Sequence, residues 1–167
     1  MTPEITLRAA LPGDFEALVD LDLVSAEHHV AVDPRRYRLP DRSAVATFLR
    51  RRLADPSREV VVAEVQGRVV ARLDVDVVEP PDEGSIVQPI PTLDVGVSVL
   101  PEWRGHGIGH RLMAAADAIA RERGIGRIVL DMHAENDGAL RLYRSLGYRE
   151  YGYVMDRWLD RDPAAAG

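Results

Sequence analysis

The 167-residue sequence contains no cysteine, which removes disulfides, thiolate metal sites and a cysteine nucleophile from consideration. Lysine is missing too: all 21 basic residues are arginine, which we read as compositional bias. No stretch approaches the roughly 18 uninterrupted apolar residues of a membrane-spanning helix, and Met1-Thr2-Pro3-Glu4 lacks the basic-then-apolar order of a secretory leader. The expected location is cytoplasmic, with no membrane partner. Positive charge is in deficit, 27 acidic against 21 basic residues for a net charge of −6. That balance speaks against nucleic acid as a principal partner, because such binding draws on phosphate neutralisation, and it suits a cationic or neutral ligand. The 46% of hydrophobic residues suffices for one domain, expected over residues 1–160, that buries roughly 68–70% of its unfolded surface. Residues 161–167 read as a frayed tail.

Periodicity predicts alternating strands and helices without internal repeats. Ile5-Thr6-Leu7-Arg8 alternates as a first strand. Asp14 is placed to cap a helix with the apolar stripe Phe15, Leu18, Val19 and Leu21 to Leu23. Residues 33–41 break the pattern, and Asp41 or Ser43 opens a second helix through Val45, Phe48, Leu49 and Leu53. Residues 60–65 and 69–78 flank Gln66-Gly67 as a β-hairpin whose second arm alternates like a half-solvated strand. Prolines at 80, 81, 89 and 91 make residues 79–91 a loop. A fourth strand spans 93–100. The following helix carries Ile108, Leu112, Met113, Ala116, Ile119 and Ala120 on one face and stops at Arg123-Gly124. Ile128-Val129-Leu130 reads as a strand covered on both faces and parallel to its neighbour, residues 136–146 as a last helix, and 148–159 as a closing β-region.

The stretch Val97-Ser98-Val99-Leu100-Pro101-Glu102-Trp103-Arg104-Gly105-His106-Gly107-Ile108-Gly109 runs from an apolar strand straight into a glycine-rich helix start. Glycines 105, 107 and 109 bare the main chain, and the first amides of the helix have no intrahelical acceptor, so the segment suits an anionic phosphate group. A P-loop is excluded because Ile108-Gly109-His110 does not supply Gly-Lys-Ser/Thr, and the dinucleotide fingerprint fails at His110, where it requires glycine.

What remains, Arg104-x-x-Gly107-x-Gly109, resembles the pyrophosphate-binding motif of the GNAT superfamily of N-acetyltransferases. Asn136-x-x-Ala139-x-x-Leu142-Tyr143-x-x-Leu146-Gly147-Tyr148 resembles the family's downstream signature, and the element order resembles its fold over residues 4–159. The resemblance implies an α/β (α+β) acyl-CoA N-acyltransferase fold, with a mixed six- to seven-stranded sheet, helices on both faces and splayed fourth and fifth strands. It implies acetyl-CoA as co-substrate, with its pyrophosphate on Arg104, Gly105, His106, Gly107, Ile108 and Gly109. Backbone groups of Val97, Ser98 and Val99 would meet the pantetheine amides as an added strand would, and a bulge at Gly96 would open that edge. A homodimer through the closing strands is a further implication.

Tyr143 matches the family tyrosine that assists the departing thiolate, a role a phenol of pKa about 10 can fill. Ala139, Leu142, Tyr143 and Leu146 also form an i, i+3, i+4, i+7 stripe, so the pattern alone makes Tyr143 core. The resemblance gives Asn136 a contact to the cofactor arm, a role compatible with its being the helix N-cap. Asp94 lies near where relatives carry an acidic base, and equally suits a polar position early in a strand. Arg104 can reach a phosphate or tie down its own loop. Glu27, His28 and Tyr37 border the expected acceptor pocket; His28 and His29 diverge on a helix and make no metal pair, and His133 stays unassigned. Asp74, Asp76, Asp82 and Glu83 can meet a cation or be solvated surface. The expected activity is acetyl transfer to a primary amine of a small molecule. Acetylation of a peptide N-terminus or side chain, and a non-catalytic acyl-CoA-binding module, are the alternatives.

Overall fold

The computed structural model describes residues 4–158. Strand β1 (Ile5–Ala9) leads through a 3-10 turn (Pro12–Asp14) into helices α1 (Phe15–Val32) and α2 (Arg42–Leu53), followed by β2 (Arg58–Val65), β3 (Arg68–Val77) and β4 (Thr92–Val99). A second 3-10 turn (Pro101–Trp103) precedes α3 (Ile108–Glu122), β5 (Arg127–Val129) and α4 (Asp137–Ser145). The strands form one mixed sheet in chain order, antiparallel from β1 to β4 and parallel between β4 and β5. A parallel neighbour needs a crossover, and α3 supplies it.

Local chemistry explains several boundaries. Asp41 caps α2 by accepting the Ala44 N–H at 2.9 Å, a contact worth about 1 kcal/mol. Gln66 and Gly67 both have positive φ, 50° and 78°, the backbone of a tight two-residue hairpin turn. Helix α3 buries Ile108, Leu112, Met113, Ala116 and Ala120 and terminates at Gly124 with φ +66°. Asp14 departs from the expected cap. Its side chain accepts no bond from the helix and is instead held by Arg8 at 2.7 and 2.9 Å and by the Leu11 N–H at 2.7 Å. The Arg8 guanidinium, which also binds Glu64 of β2, therefore outcompetes the helix amides for this carboxylate and holds its pKa below the usual range.

Leu73, Val75, Leu93 and Val95 alternate onto one face of the sheet and are buried, as is the apolar stripe of α3, which packs on β3 and β4. The opposite face carries Arg72, Asp74 and Asp76 and is covered by α1 and α2. Arg72 binds Asp22 of α1, and Arg52 of α2 lies 3.4 Å from Asp76. β3 is thus a buried central strand, not a half-solvated one, and its polar residues persist because each is paired.

Other expectations are corrected. The described residues form five strands rather than six or seven: residues 148–158 carry no regular secondary structure, and Leu159 and the tail lie outside the described residues. β5 is half-buried throughout rather than covered on both faces. No bulge occurs at Gly96, because the β3–β4 register runs unbroken from Ala71↔Val99 to Val77↔Leu93. The sheet's irregularity falls instead between Ala63 and Glu64 of β2. β4 and β5 do splay: their pairing covers Thr92↔Arg127, Leu93↔Ile128 and Asp94↔Val129 and then ends.

Candidate active site

Because the parallel ladder stops at Asp94, Val97, Ser98 and Val99 pair only with β3, through Leu73, Arg72 and Ala71. Their other edge offers N–H and C=O groups to an added strand-like ligand. That edge points along the chain into the glycine-rich loop. Gly105 and Gly107 adopt φ of +77° and +78°, a conformation costly for any residue with a Cβ, and Gly107 is the N-cap of α3 without a side-chain cap. Among the described residues no protein group accepts from the amides of residues 105–110. On either side, Arg104 N–H donates to Pro101 O and Arg111 N–H to Gly107 O, both at 3.2 Å. A run of uncommitted donors at a helix N-terminus fits a diphosphate.

The side chains around these amides have separate tasks. Arg104 donates from Nε to Val99 O at 3.2 Å, which ties the loop to the end of β4. His106 Nδ1 lies 2.9 Å from Arg104 O, and Ile108 is buried as the anchor of the loop. Gly109 is glycine for a different reason from its neighbours. A Cβ there would stand 2.8 Å from Leu142 Cδ2, so its bareness admits α4. His110 Nε2 adds a 3.3 Å contact to Ser145 Oγ.

Helix α4 begins at Asn136, whose side chain accepts the Ala139 N–H at 3.1 Å; this is the N-cap role. About two helical turns further on, Tyr143 packs against the core, with its ring centroid 5.8 Å from that of Tyr148. Burial, and then the charge of Asp131, push the Tyr143 phenol above its ordinary pKa, so it stays protonated and able to donate at neutral pH. Asp94 is exposed, with Asp76 opposite on β3. Burial, then Asp131 and Asp76, raise its carboxyl pKa. Asp131, just past β5, thus acts on both residues, and sequence reasoning missed it. The available signal was its place at the carboxyl end of a parallel strand pair, where open α/β sheets build their sites.

On the side where the resemblance places the acceptor, the structure brings together residues that are far apart in the chain. His28 and His29 at the end of α1, Tyr37 of the following arm and His133 beyond β5 form a succession of rings with centroids 6.0, 5.0 and 6.1 Å apart. Burial first, then Arg104, His29 and His133, lower the His28 pKa and keep the imidazole neutral. Glu27 is exposed and lies outside this succession. No His, Asp and Glu side chains converge as a metal site among the described residues. Asp74 and Asp76 are not solvated cation receptors: Asp74 lies 2.9 Å from Arg72, and Asp76 lies 3.2 Å from Arg58.

Comparison with known proteins agrees with this geometry. The Acetyltransferase (GNAT) family matches residues 21–148. An aminoglycoside N(6')-acetyltransferase type 1 of Stenotrophomonas maltophilia is 28% identical over 165 residues, covering 96% of each chain. The N-alpha-acetyltransferase RimI of Mycobacterium tuberculosis is 39% identical over 56 residues, 34% of each chain. Among solved structures, a tetramutant of the Bacillus halodurans protein BH1408 superposes with a TM-score of 0.84 at 22% identity, over 92% of this chain and 99% of that one. The aminoglycoside N-acetyltransferase AAC(6')-Iy in complex with CoA gives 0.68 at 18% identity, over 95% and 96%. The last two establish the shared fold. From the family match, the splayed strands and the glycine-rich loop between β4 and α3, the chain belongs to the GNAT acetyltransferase family, acyltransferases that use acetyl-CoA.

Proposed function

We propose that the protein transfers an acetyl group directly from acetyl-CoA to a primary amine of a small molecule. The observation that carries this reading is the continuity of the open β4 edge at Val97, Ser98 and Val99 with the uncommitted amides of residues 105–110. One edge suits the amide-bearing pantetheine arm and the other suits its diphosphate. Asn136 stands at the head of the helix that carries Tyr143. Similarity over nearly the whole chain to an aminoglycoside N(6')-acetyltransferase favours a small amine over a peptide.

In the reaction the amine nitrogen attacks the thioester carbonyl. The C–N bond forms, the C–S bond breaks, and no acyl-enzyme intermediate is required. Asp94, its carboxyl pKa raised above the ordinary value by burial and by Asp131 and Asp76, takes the proton the amine loses. Tyr143 gives its phenolic proton to the departing thiolate and recovers one from solvent. A strand amide among Val97 to Val99 polarises the carbonyl, and its hydrogen bond strengthens as negative charge grows on the oxygen. His28 and Tyr37 border the acceptor. The test is a panel of amines, aminoglycosides and peptides with acetyl-CoA, read by release of free thiol. Release with small amines supports the reading, release with peptides alone replaces it by peptide acetylation, and acetyl-CoA binding with no release by any acceptor replaces it by a non-catalytic module.

A further inference from the structure

β4 is the fourth of five strands, yet Gly96 at its middle is exposed between buried Val95 and half-buried Val97. A Cβ added there would meet no atom within 4 Å. Its φ is not positive, and no bulge falls on it. Neither backbone geometry nor packing therefore explains a glycine that weakens a strand interior. Cross-strand pairing sets Gly96 opposite Asp74, on the sheet face that α1 and α2 cover over β3. Along β4, Asp94 and Ser98 project to that same side. The helical layer reaches Arg72 and Asp76 on β3, while the space a side chain at position 96 would enter is open, one same-face step past the last β4–β5 pair.

We propose that Gly96 is a specificity-determining residue, and that the gap over it is the port through which the acceptor amine reaches the thioester, with Asp94 at its rim. The inference rests on the acetyl-transfer reading above and adds to it the route of the acceptor. Charge suits the route. An amine arrives as an ammonium ion, and the exposed carboxylates of Asp94 and Asp131 supply negative potential along the approach. Size follows as well, because a port floored by glycine admits carbon beside the nitrogen that any side chain at position 96 would exclude.

The absence of cysteine permits a test that needs no knowledge of the acceptor. In Gly96→Cys the introduced thiol is the protein's only one and stands in the port. On incubation with acetyl-CoA its thiolate takes the acetyl group by thioester exchange, releasing CoA, and the intact protein gains one acetyl mass. Ala114→Cys, exposed on α3, is the control and remains unmodified. Gly96→Val completes the test: acetyl-CoA affinity stays at its wild-type value and Tm does not fall, while kcat/KM for every reactive amine falls roughly tenfold or more. If the Gly96→Cys thiol is acetylated no faster than that of Ala114→Cys, the port is overturned, whatever the amine panel shows. If the thiol is acetylated while no small amine is, the port stands and the small-amine reading falls.

Discussion

Asp94 and Val129 are the last residues of β4 and β5 to face each other, and beyond them the two parallel strands part. The divergence leaves Val97 to Val99 with an open edge and places Asp94 at its apex. A carboxylate at that point lies close to Asp131 and Asp76, both of which oppose its ionisation.

A pH profile follows from that raised pKa. A proton acceptor works deprotonated, so kcat/KM is lost as pH falls through the raised value, above the ordinary aspartate range near 3.9. Asp94→Asn is expected to lower kcat/KM and to remove this acid limb. A limb that persists unchanged in the variant assigns it to another group.

Tyr143→Phe removes the proton donor and keeps the ring packed on Tyr148. Turnover is expected to drop on the order of a hundredfold, with acetyl-CoA affinity by calorimetry nearly intact. Wild-type turnover, with chemistry shown to limit the rate, excludes Tyr143 from the proton transfer.

Gly109 and Leu142 define a packing test. Gly109→Ala sets its methyl 2.8 Å from Leu142 Cδ2, which forces that side chain to turn; overpacking of this kind costs about 1 kcal/mol or more. In a Leu142→Ala background the collision is gone, and the better helix propensity of alanine dominates. Urea denaturation is expected to show the Gly109→Ala effect change sign between the two backgrounds. Strict additivity contradicts the contact.

Asp14 and Arg8 link stability to pH. The folded pKa of Asp14 lies below its unfolded value, so the stabilisation is complete above the unfolded value near 3.9 and fades as pH falls through the depressed one. Asp14→Asn is expected to destabilise by about 1–3 kcal/mol at pH 7, with the gap closing in acid. A gap that is constant down to pH about 2 removes the ion pair as its cause.

The elements that the sequence made legible are those with local causes. The α3 stripe, the Gln66-Gly67 turn, the Asp41 cap and the glycine-rich start of α3 each follow from residues a few positions apart. Tertiary partners overrode the rest. Asp14 reads as a cap until Arg8 and Glu64 arrive from two strands, and Asp74 and Asp76 read as solvated until arginines from β2, β3 and α2 fold over them. Tyr37 and His133 share a wall that no spacing in the chain announces. Gly109 looked like a third ligand-facing glycine, because nothing near it in sequence points to Leu142. The closing β-region expected over residues 148–159 finds no ladder partner among the described residues and forms no strand there.

The grip of the loop amides on the coenzyme diphosphate is tested most directly by amide NMR of 15N-labelled protein titrated with CoA. The resonances of Gly105, His106, Gly107, Ile108, Gly109 and His110 are expected to move more than those elsewhere in α3 and to saturate with the calorimetric isotherm. Saturable CoA binding with these six amides unmoved would contradict it.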